Sequence, residues 1–197
     1  NTNKPLNPRG NDASPLAYNR AALYSGKALD FDGVNDKVTS SAFSLDTSSF
    51  SISMILKSDS VVSDEIFFAF AETGANNESF IFYKDSTNSN KIAFYGAAFT
   101  GSPVLLNYVI PTDYEHLTFT FASNTLSLYV NGVFVDSGSV TGNDGTQTAS
   151  AIIGVRKLAS YSQYFNGQIT NTKIFNEVLT AAQIADLYNN PEKIVPT

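Results

Sequence analysis

Short segments in which apolar and polar residues alternate recur along most of the chain. In "FSISMILK" (residues 50–57) every second residue is apolar, and in "HLTFTFA" (116–122) Leu117, Phe119 and Phe121 share one face. Because successive side chains of a strand point to opposite faces, this period of two indicates strands with one face in a core. Further apolar runs between turn clusters bring the expected total to about a dozen strands. These further runs are "EIFFAFA", "SFIFYK", "KIAFYG", "LSLYV", "ASAIIG" and "NTKIF".

Two local motifs identify particular elements. In "LSLYVNGVFV", the pair Asn131-Gly132 joins two apolar runs and favours a two-residue hairpin turn, because both residues accept positive φ. In "LTAAQIADLYNNP", Thr180 and Gln183 have the spacing of a capping box, which predicts the start of a helix. An Asn-Asn-Pro sequence then ends it. The apolar stripe of this helix consists of Ile184, Leu187 and Tyr188.

The fold class that these patterns predict is all-β, an antiparallel β-sandwich jelly roll with one short C-terminal helix. The chain has 197 residues, of which 43% are hydrophobic and 15% charged, so one sizeable core is expected. We predict a single domain over residues 25–190. The proline-bearing segment 1–24 is expected to be an extended arm or linker, and residues 191–197 a second linker.

Composition excludes several classes of function. The net charge is −6, with 12 Lys and Arg scattered along the chain, which argues against nucleic acid or an anionic membrane as partner. The chain has no cysteine, which excludes disulfides and thiolate nucleophiles. No apolar run approaches the roughly 18 residues that span a bilayer, so we expect no membrane insertion.

Four segments in one order resemble a known family. They are "ALDFDGVNDKV" (28–38), "FSISMILK", "LTFTFASNTLSLYVNGVFV" (117–135) and "FNGQITNTKIFNEVLTAAQIADLY" (165–188). Together they resemble the laminin G-like domains of the concanavalin A-like lectin/glucanase superfamily, and more distantly the pentraxins. The resemblance implies two antiparallel sheets in a jelly roll, with a helix near the C-terminus.

The aspartate-rich segment "ALDFDGVNDKV" allows two interpretations. The first is structural: a strand, a turn at Asp32-Gly33 and a returning strand, a hairpin of the kind that the family resemblance implies, because Asp and Asn bond nearby backbone groups in turns. The second is a calcium site in which Asp32, Asn35 and Asp36 supply some of the 6 to 8 oxygen ligands. Calcium is the one candidate cofactor.

A calcium site of the pentraxin type is not expected. The resemblance would place it at "ANNESFIF", where Asn76, Asn77 and Glu78 offer oxygens, and at "IIGVRKL". The second segment carries Arg156 and Lys157 where acidic residues would be required, and these cations would repel a divalent ion.

Catalytic constellations are missing from the sequence, so we predict that the protein is not an enzyme. Retaining glycosidases need two carboxylates about 5 to 5.5 Å apart. The neighbours Asp64 and Glu65 would point to opposite faces of a strand. His116 is the single histidine, and we interpret it as a structural residue at the end of a strand.

The segment "SYSQYFNG" (160–167) is the candidate binding loop. Tyr161 and Tyr164 can stack on sugar rings, and Gln163 can bond hydroxyl groups. Asn76 and Asn77, in another polar turn, are the candidate neighbours in the same site. Whether the two turns meet depends on the order of the strands.

These observations favour a non-catalytic recognition module on an extracellular, cell-surface or virion surface, binding glycan or a surface protein. The alternative is a structural or assembly domain of a larger viral (tail, capsid) or bacterial surface protein. Such a domain would contact other domains or copies of the same protein.

Overall fold

The computed structural model describes residues 28–60, 63–71, 78–97, 99, 103–142, 145–157 and 160–193. The segment 1–24 and most of 191–197, where arms or linkers are predicted, lie outside these ranges. Strands make up most of the described chain, and one α-helix follows them. The elements are β1 (Leu29–Asp32), β2 (Val38–Thr39), β3 (Phe43–Asp46), β4 (Ser49–Ser58), β5 (Glu65–Ala71), β6 (Glu78–Asp85), β7 (Lys91–Tyr95), β8 (Val104–Val109), β9 (Glu115–Ala122), β10 (Thr125–Val130), β11 (Val133–Ser139), β12 (Thr146–Ile153), β13 (Arg156–Lys157), β14 (Tyr161–Ser162), β15 (Asn166–Phe175) and α1 (Ala181–Asn189).

The strands form two large antiparallel sheets that pack face to face. The first sheet has the order β1-β15-β4-β9-β10-β11. The second has the order β2-β12-β5-β6-β7-β8, with β3 also paired to β12. This arrangement confirms the predicted all-β sandwich. The helix among the described residues is not long and apolar enough to cross a membrane.

Phenylalanine side chains fill the space between the sheets. Phe82 of the second sheet and Phe119 of the first have ring centroids only 4.2 Å apart. Phe50 stacks on Phe80 at 4.8 Å. The alternation in β4 accounts for this packing, because Phe50 and the apolar residues that alternate with it all enter the core. Aromatic pairs at these distances add to the stabilisation that burial itself provides.

The helix α1 covers the outer face of the first sheet. Its capping box is formed, with the side chain of Thr180 accepting from the backbone of Gln183 and the reverse bond also present. Ile184 and Leu187 are buried against partly buried aromatic residues of the sheet. The predicted helix is confirmed, and so is the hairpin, since Asn131 and Gly132 have φ of 52° and 83°.

The hairpin interpretation of the aspartate-rich segment is wrong. β1 pairs with β15 in the first sheet, whereas β2 pairs with β12 in the second. The turn at Asp32-Gly33 therefore carries the chain from one sheet to the other. A hairpin and a turn that crosses between two sheets have the same alternation of apolar and polar residues and the same turn residues. The local sequence therefore could not distinguish the two.

Candidate ligand-binding site

The outer face of the second sheet is apolar at its centre. Strands β5 and β6 direct Phe68, Phe70, Phe80 and Phe82 into the core, and their alternate residues point outward. We call these outward residues, together with two from the β12 end, the apolar floor. The floor consists of Ile66, Ala69, Ala71, Ile81, Ile152 and Val155, all buried.

A cleft of about 200 Å³ opens over this floor. Tyr83 of β6 and Tyr95 of β7 line it as half-buried side chains that pack on the floor. They lie diagonally across the strand pair, since Ile81 is opposite Tyr95 and Tyr83 is opposite Ala93. The remaining lining residues are Asp64, Ile66, Ile81, Arg156 and Gln163.

Arg156 forms one wall of the cleft and is held from two sides. Its Nε donates to Glu78 Oε2 at 3.1 Å, and its Nη1 donates to Gln163 Oε1 at 3.1 Å. The Glu78 side chain is only 2% exposed, whereas that of Arg156 is 26% exposed. Burial raises the pKa of Glu78, and the charge of Arg156 opposes this rise. The guanidinium is thus fixed in place while part of it stays accessible.

The short hairpin of β13 and β14 carries Arg156 and is tied to the sheet by backbone contacts. Gly154 precedes it with φ of +86°, and a Cβ there would lie 2.3 Å from the ring of Phe31. Gln163 also has positive φ, at 53°. Its carbonyl accepts a hydrogen bond from the amide of Ile66 at 3.1 Å. The positive φ of Gln163 and its backbone hydrogen bond to Ile66 together place its side chain at the cleft.

The opposite end of the cleft is acidic. Asp64 Oδ1 accepts from both the amide and the hydroxyl of Ser86 at 2.8 Å. Burial raises the pKa of Tyr83 to about 12, and the charges of Asp85 and Asp64 add to the rise. Tyr83 therefore keeps its hydroxyl proton at neutral pH and can donate it in a hydrogen bond.

The predicted binding residues divide into two groups. Tyr161, Gln163 and Tyr164 lie together, and both tyrosines pack half-buried on the edge of the apolar floor. Tyr161 belongs to the strand β14 rather than to an open turn. Asn76 and Asn77 lie outside the described residues, so their place in the site stays a prediction.

Sequence reasoning missed the centre of the cleft. Tyr83 and Tyr95 each follow a core phenylalanine, in "IFYK" and "AFYG". Since neighbouring strand residues point to opposite faces, a tyrosine next to a buried phenylalanine must lie on the outer face. Two such tyrosines on paired strands were the signal that could have located the cleft.

The family model of Laminin_G_3, part of the concanavalin A-like lectin/glucanases superfamily, matches residues 32–185. The chain belongs to this family. This finding confirms the resemblance inferred from the four segments. No curated protein sequence matches the chain.

Solved structures share the fold of this Laminin_G_3 domain at low identity. A SAP-like pentraxin of Limulus polyphemus is 15% identical with a TM-score of 0.63, covering 81% of this chain and 80% of its own. Domain 4 of the arabinanase AbnA of Geobacillus stearothermophilus, solved with arabinotriose, is 19% identical with a TM-score of 0.60, covering 82% and 76%. The CBM40 of a Ruminococcus gnavus sialidase, bound to sialyllactose, is 11% identical with a TM-score of 0.54, covering 74% and 93%.

The aspartate-rich segment of the domain uses its carboxylates to hold the turn. Asp32 Oδ1 accepts from the amides of Val34 at 2.8 Å and Asn35 at 3.3 Å, and Asp36 Oδ2 accepts from the amide of Asp32 at 3.0 Å. The bond from Val34 is the main cause that lowers the pKa of Asp32. Within the described ranges, no three His, Cys, Asp or Glu residues form a group that could hold a metal ion. A calcium site at Asp32, Asn35 and Asp36 stays a prediction.

The pair Ser53 and His116 has the distance of a catalytic dyad but not its accessibility. Ser53 Oγ lies 2.7 Å from His116 Nε2. The two residues are 0% and 3% exposed, and the ring of His116 lies beside Tyr188 of the helix. A substrate cannot reach this pair, which joins β4 to β9 beneath the helix α1.

Proposed function

We propose that this domain is a non-catalytic module that binds glycan in the cleft on the outer face of the second sheet. One observation carries the proposal: Tyr83 and Tyr95 stand half-buried over an apolar floor, beside the fixed polar groups of Arg156 and Gln163. Apolar surface with a few placed polar groups is typical of small-ligand sites.

The cleft offers each type of contact that a sugar requires. The faces of Tyr83 and Tyr95 suit the C–H face of a pyranose or furanose ring. Arg156 donates hydrogen bonds, the amide of Gln163 can donate, and Asp64 accepts from hydroxyl groups. The volume of about 200 Å³ is smaller than that of pockets that enclose a drug-sized ligand, about 300 to 1,000 Å³. An open cleft of this size fits one or two sugar rings of a longer chain.

Two of the structural neighbours support the proposal through their ligands, arabinotriose and sialyllactose. At identities below 20% they establish only the shared fold, so the ligand class of this protein is inferred from its own cleft. Placement on a cell or particle surface, outside the cell, belongs to the same proposal.

A glycan array followed by isothermal titration tests the proposal. Tyr83→Ala and Tyr95→Ala should each weaken binding of the best array ligand severalfold, up to about tenfold, since aromatic stacking contributes about 0.5 to 1.5 kcal/mol. Tyr114→Ala is the matched control, because Tyr114 is also half-buried but packs on Ile55 of the first sheet. Failure to bind any glycan, or equal binding by all three variants, would refute the proposal.

One observation favours the alternative, an assembly domain of a larger surface or virus protein. The edge strand β11 exposes Val133 at 66% and Phe134 at 53%. Apolar residues on an edge strand are a common site of association with another chain. Light scattering of the wild-type protein and of Val133→Lys distinguishes the alternatives: an oligomer that the substitution dissociates supports assembly.

A further inference from the structure

Two lysine side chains converge on one tyrosine at the border of the cleft. Lys37 Nζ lies 4.7 Å from the centroid of the Tyr161 ring, and Lys157 Nζ lies 5.1 Å from it. Both distances are within the range of about 6 Å for cation–π attraction. Lys157 is directly opposite Tyr161 in the β13–β14 pair, whereas Lys37 comes from the segment between β1 and β2. Remote parts of the chain thus bring their cations to the same ring.

This arrangement opposes the overall charge of the protein. The chain carries 12 Lys and Arg against 18 Asp and Glu. At the β13–β14 hairpin, however, Lys37 and Lys157 flank one ring, and the neighbouring residue of β13 is Arg156, whose side chain turns to Glu78 and Gln163. Glu78 neutralises part of the Arg156 charge, and its side chain is 2% exposed. The acidic residue that lines the cleft itself, Asp64, is bound to Ser86 at the other end.

The two lysines lie beside the cleft rather than in its lining: they flank Tyr161, which packs on the apolar floor, whereas Arg156 and Asp64 line the cleft itself. The ring of Tyr161 packs on the apolar floor and attracts both ammonium groups, which orders the two lysines beside it. Cations that are ordered before the ligand arrives lose less freedom on binding.

We propose that the cleft selects an anionic glycan, a sugar that carries a carboxylate or a sulfate group, and that Lys37 and Lys157 bind this group beside Tyr161. The inference rests on the proposed function and specifies its ligand class. A nucleic acid is the less favoured anion, because a chain with net charge −6 repels a long polyanion beyond a local contact.

Matched pairs of ligands, titrated against the full chain, test the inference. Two pairs differ in a carboxylate group: oligogalacturonate is compared with its methyl ester, and sialyllactose is compared with lactose. Dextran sulfate is compared with dextran, which varies a sulfate. Lys37→Gln and Lys157→Gln remove the two cations. Lys57→Gln is the control, because Lys57 lies 5.8 Å from the ring of Tyr114 on the far side of the sandwich.

We expect at least one charged ligand to bind about tenfold more tightly than its neutral counterpart, as two partly exposed ion pairs allow. Lys37→Gln and Lys157→Gln should each remove severalfold of that preference, and Lys57→Gln should leave it unchanged. The pair that shows the preference identifies carboxylate or sulfate as the recognised group. Added salt should weaken the charged ligand selectively.

Other results would overturn the inference in distinguishable ways. If the neutral and charged ligands of each pair bind equally tightly, and Tyr83→Ala weakens the binding of both, the proposed function stands and the selection of anionic glycans is wrong. If single-stranded DNA competes as well as the charged glycan, the site is a general anion site. If no glycan of any pair or of the array binds, the proposed function fails and the inference fails with it.

Discussion

Arg156 and Glu78 form an ion pair in which the carboxylate is buried and the guanidinium reaches the cleft. The shortest contact, from Arg156 Nε to Glu78 Oε2, is 3.1 Å. The pair connects the start of β6 to the β13–β14 hairpin. It also orients the guanidinium toward Gln163, so one interaction serves both the stability of the fold and the geometry of the cleft.

Removal of either partner should have unequal effects on stability. Arg156→Met leaves a buried carboxylate without its cation, and we expect it to lower the free energy of unfolding by about 2 to 3 kcal/mol. Glu78→Gln leaves a partly exposed guanidinium that water can solvate, and should cost less than about 1 kcal/mol. Urea denaturation at pH 7 measures both.

The pH dependence of this difference is a second test of the same prediction. Burial raises the pKa of Glu78, and loss of Arg156 should raise it further. Protonation then relieves the unpaired charge, so the destabilisation caused by Arg156→Met should shrink as the pH falls from 7 to 4.5. A loss of stability that is equal at both pH values would show that lost packing, not charge, is the cause.

Gly154 should be intolerant of any side chain. Gly154→Ala places a Cβ 2.3 Å from the Phe31 ring in a backbone of φ +86°. We expect a loss of at least about 2 kcal/mol, from the left-handed conformation and the displaced core ring together. Gly145→Ala is the control, since Gly145 has φ of +66° with nothing within 4 Å of the added Cβ. If urea denaturation gives the same loss of unfolding free energy for both substitutions, the Phe31 ring moves aside without an energetic penalty.

The core and the helix could be predicted from the sequence because both depend on local periodicity. Phe50 and Phe119 alternate with polar residues in their strands, and Thr180 and Gln183 cap the helix. The polar residues of β4 were expected only to lie opposite the core. Ser51 and Ser53 are nevertheless both 0% exposed. Ser51 bonds Glu177 and Leu179, which precede the helix, and Ser53 bonds His116, and no strand pattern reports these contacts.

The cleft could not be predicted in full because it depends on tertiary contacts. Arg156 and Glu78 are distant in the chain, and their pairing follows from the antiparallel order of β12, β5 and β6. Strands β5 and β6 are apolar on both faces, so "EIFFAFA" lacks the alternation that would show which residues face outward. Tyr161 and Tyr164 both pack on the apolar floor, and their role in binding stays a prediction. Lys37 comes to Tyr161 from the crossing between the two sheets, which no local pattern reports.

Deprotonation of Lys173 should make the protein more stable at moderately alkaline pH than at neutral pH. Burial lowers the pKa of Lys173 to about 8, although its Nζ donates to the carbonyl of Pro191 at 2.7 Å. In the unfolded chain the pKa of a lysine is about 10.4. The unfolded state therefore binds more protons above pH 8, and the free energy of unfolding should rise between pH 8 and 9.5. Thermal or urea unfolding across this window measures the rise.

Lys173→Met should flatten this rise, because it removes the titrating group. Lys57→Met is the control, since its hydrogen bond to Asp59 raises the pKa of Lys57 and it stays charged across the same window. A rise that persists unchanged in Lys173→Met would assign it to other groups. Tyr83, with a pKa of about 12, affects stability only at higher pH.

Calcium provides a direct test of the aspartate-rich turn. If Asp32, Asn35 and Asp36 bind the ion, calcium at a hundredfold excess over its Kd should stabilise the fold by about 2.7 kcal/mol, and Asp32→Ala should abolish the gain. Asp46→Ala is a matched control, because Asp46 likewise uses its carboxylate to hold a turn, through Ser48. Identical melting curves with calcium and with chelator would exclude the site.

The domain should bind polysaccharide without cleaving it. Glycoside hydrolysis needs two carboxyl groups that reach the substrate, as acid and as base or nucleophile. Glu65 is 2% exposed and lies 3.2 Å from Lys84, and Glu78 is held by Arg156, so of these acids only Asp64 lines the cleft. Incubation with arabinan, laminarin and oligogalacturonate should therefore release no new reducing ends or unsaturated products. Release that persists in Asp64→Asn would indicate a contaminating enzyme, because among the described residues Asp64 is the acid that lines the cleft. Release that is lost in Asp64→Asn would show that the domain is an enzyme after all, with Asp64 at its centre.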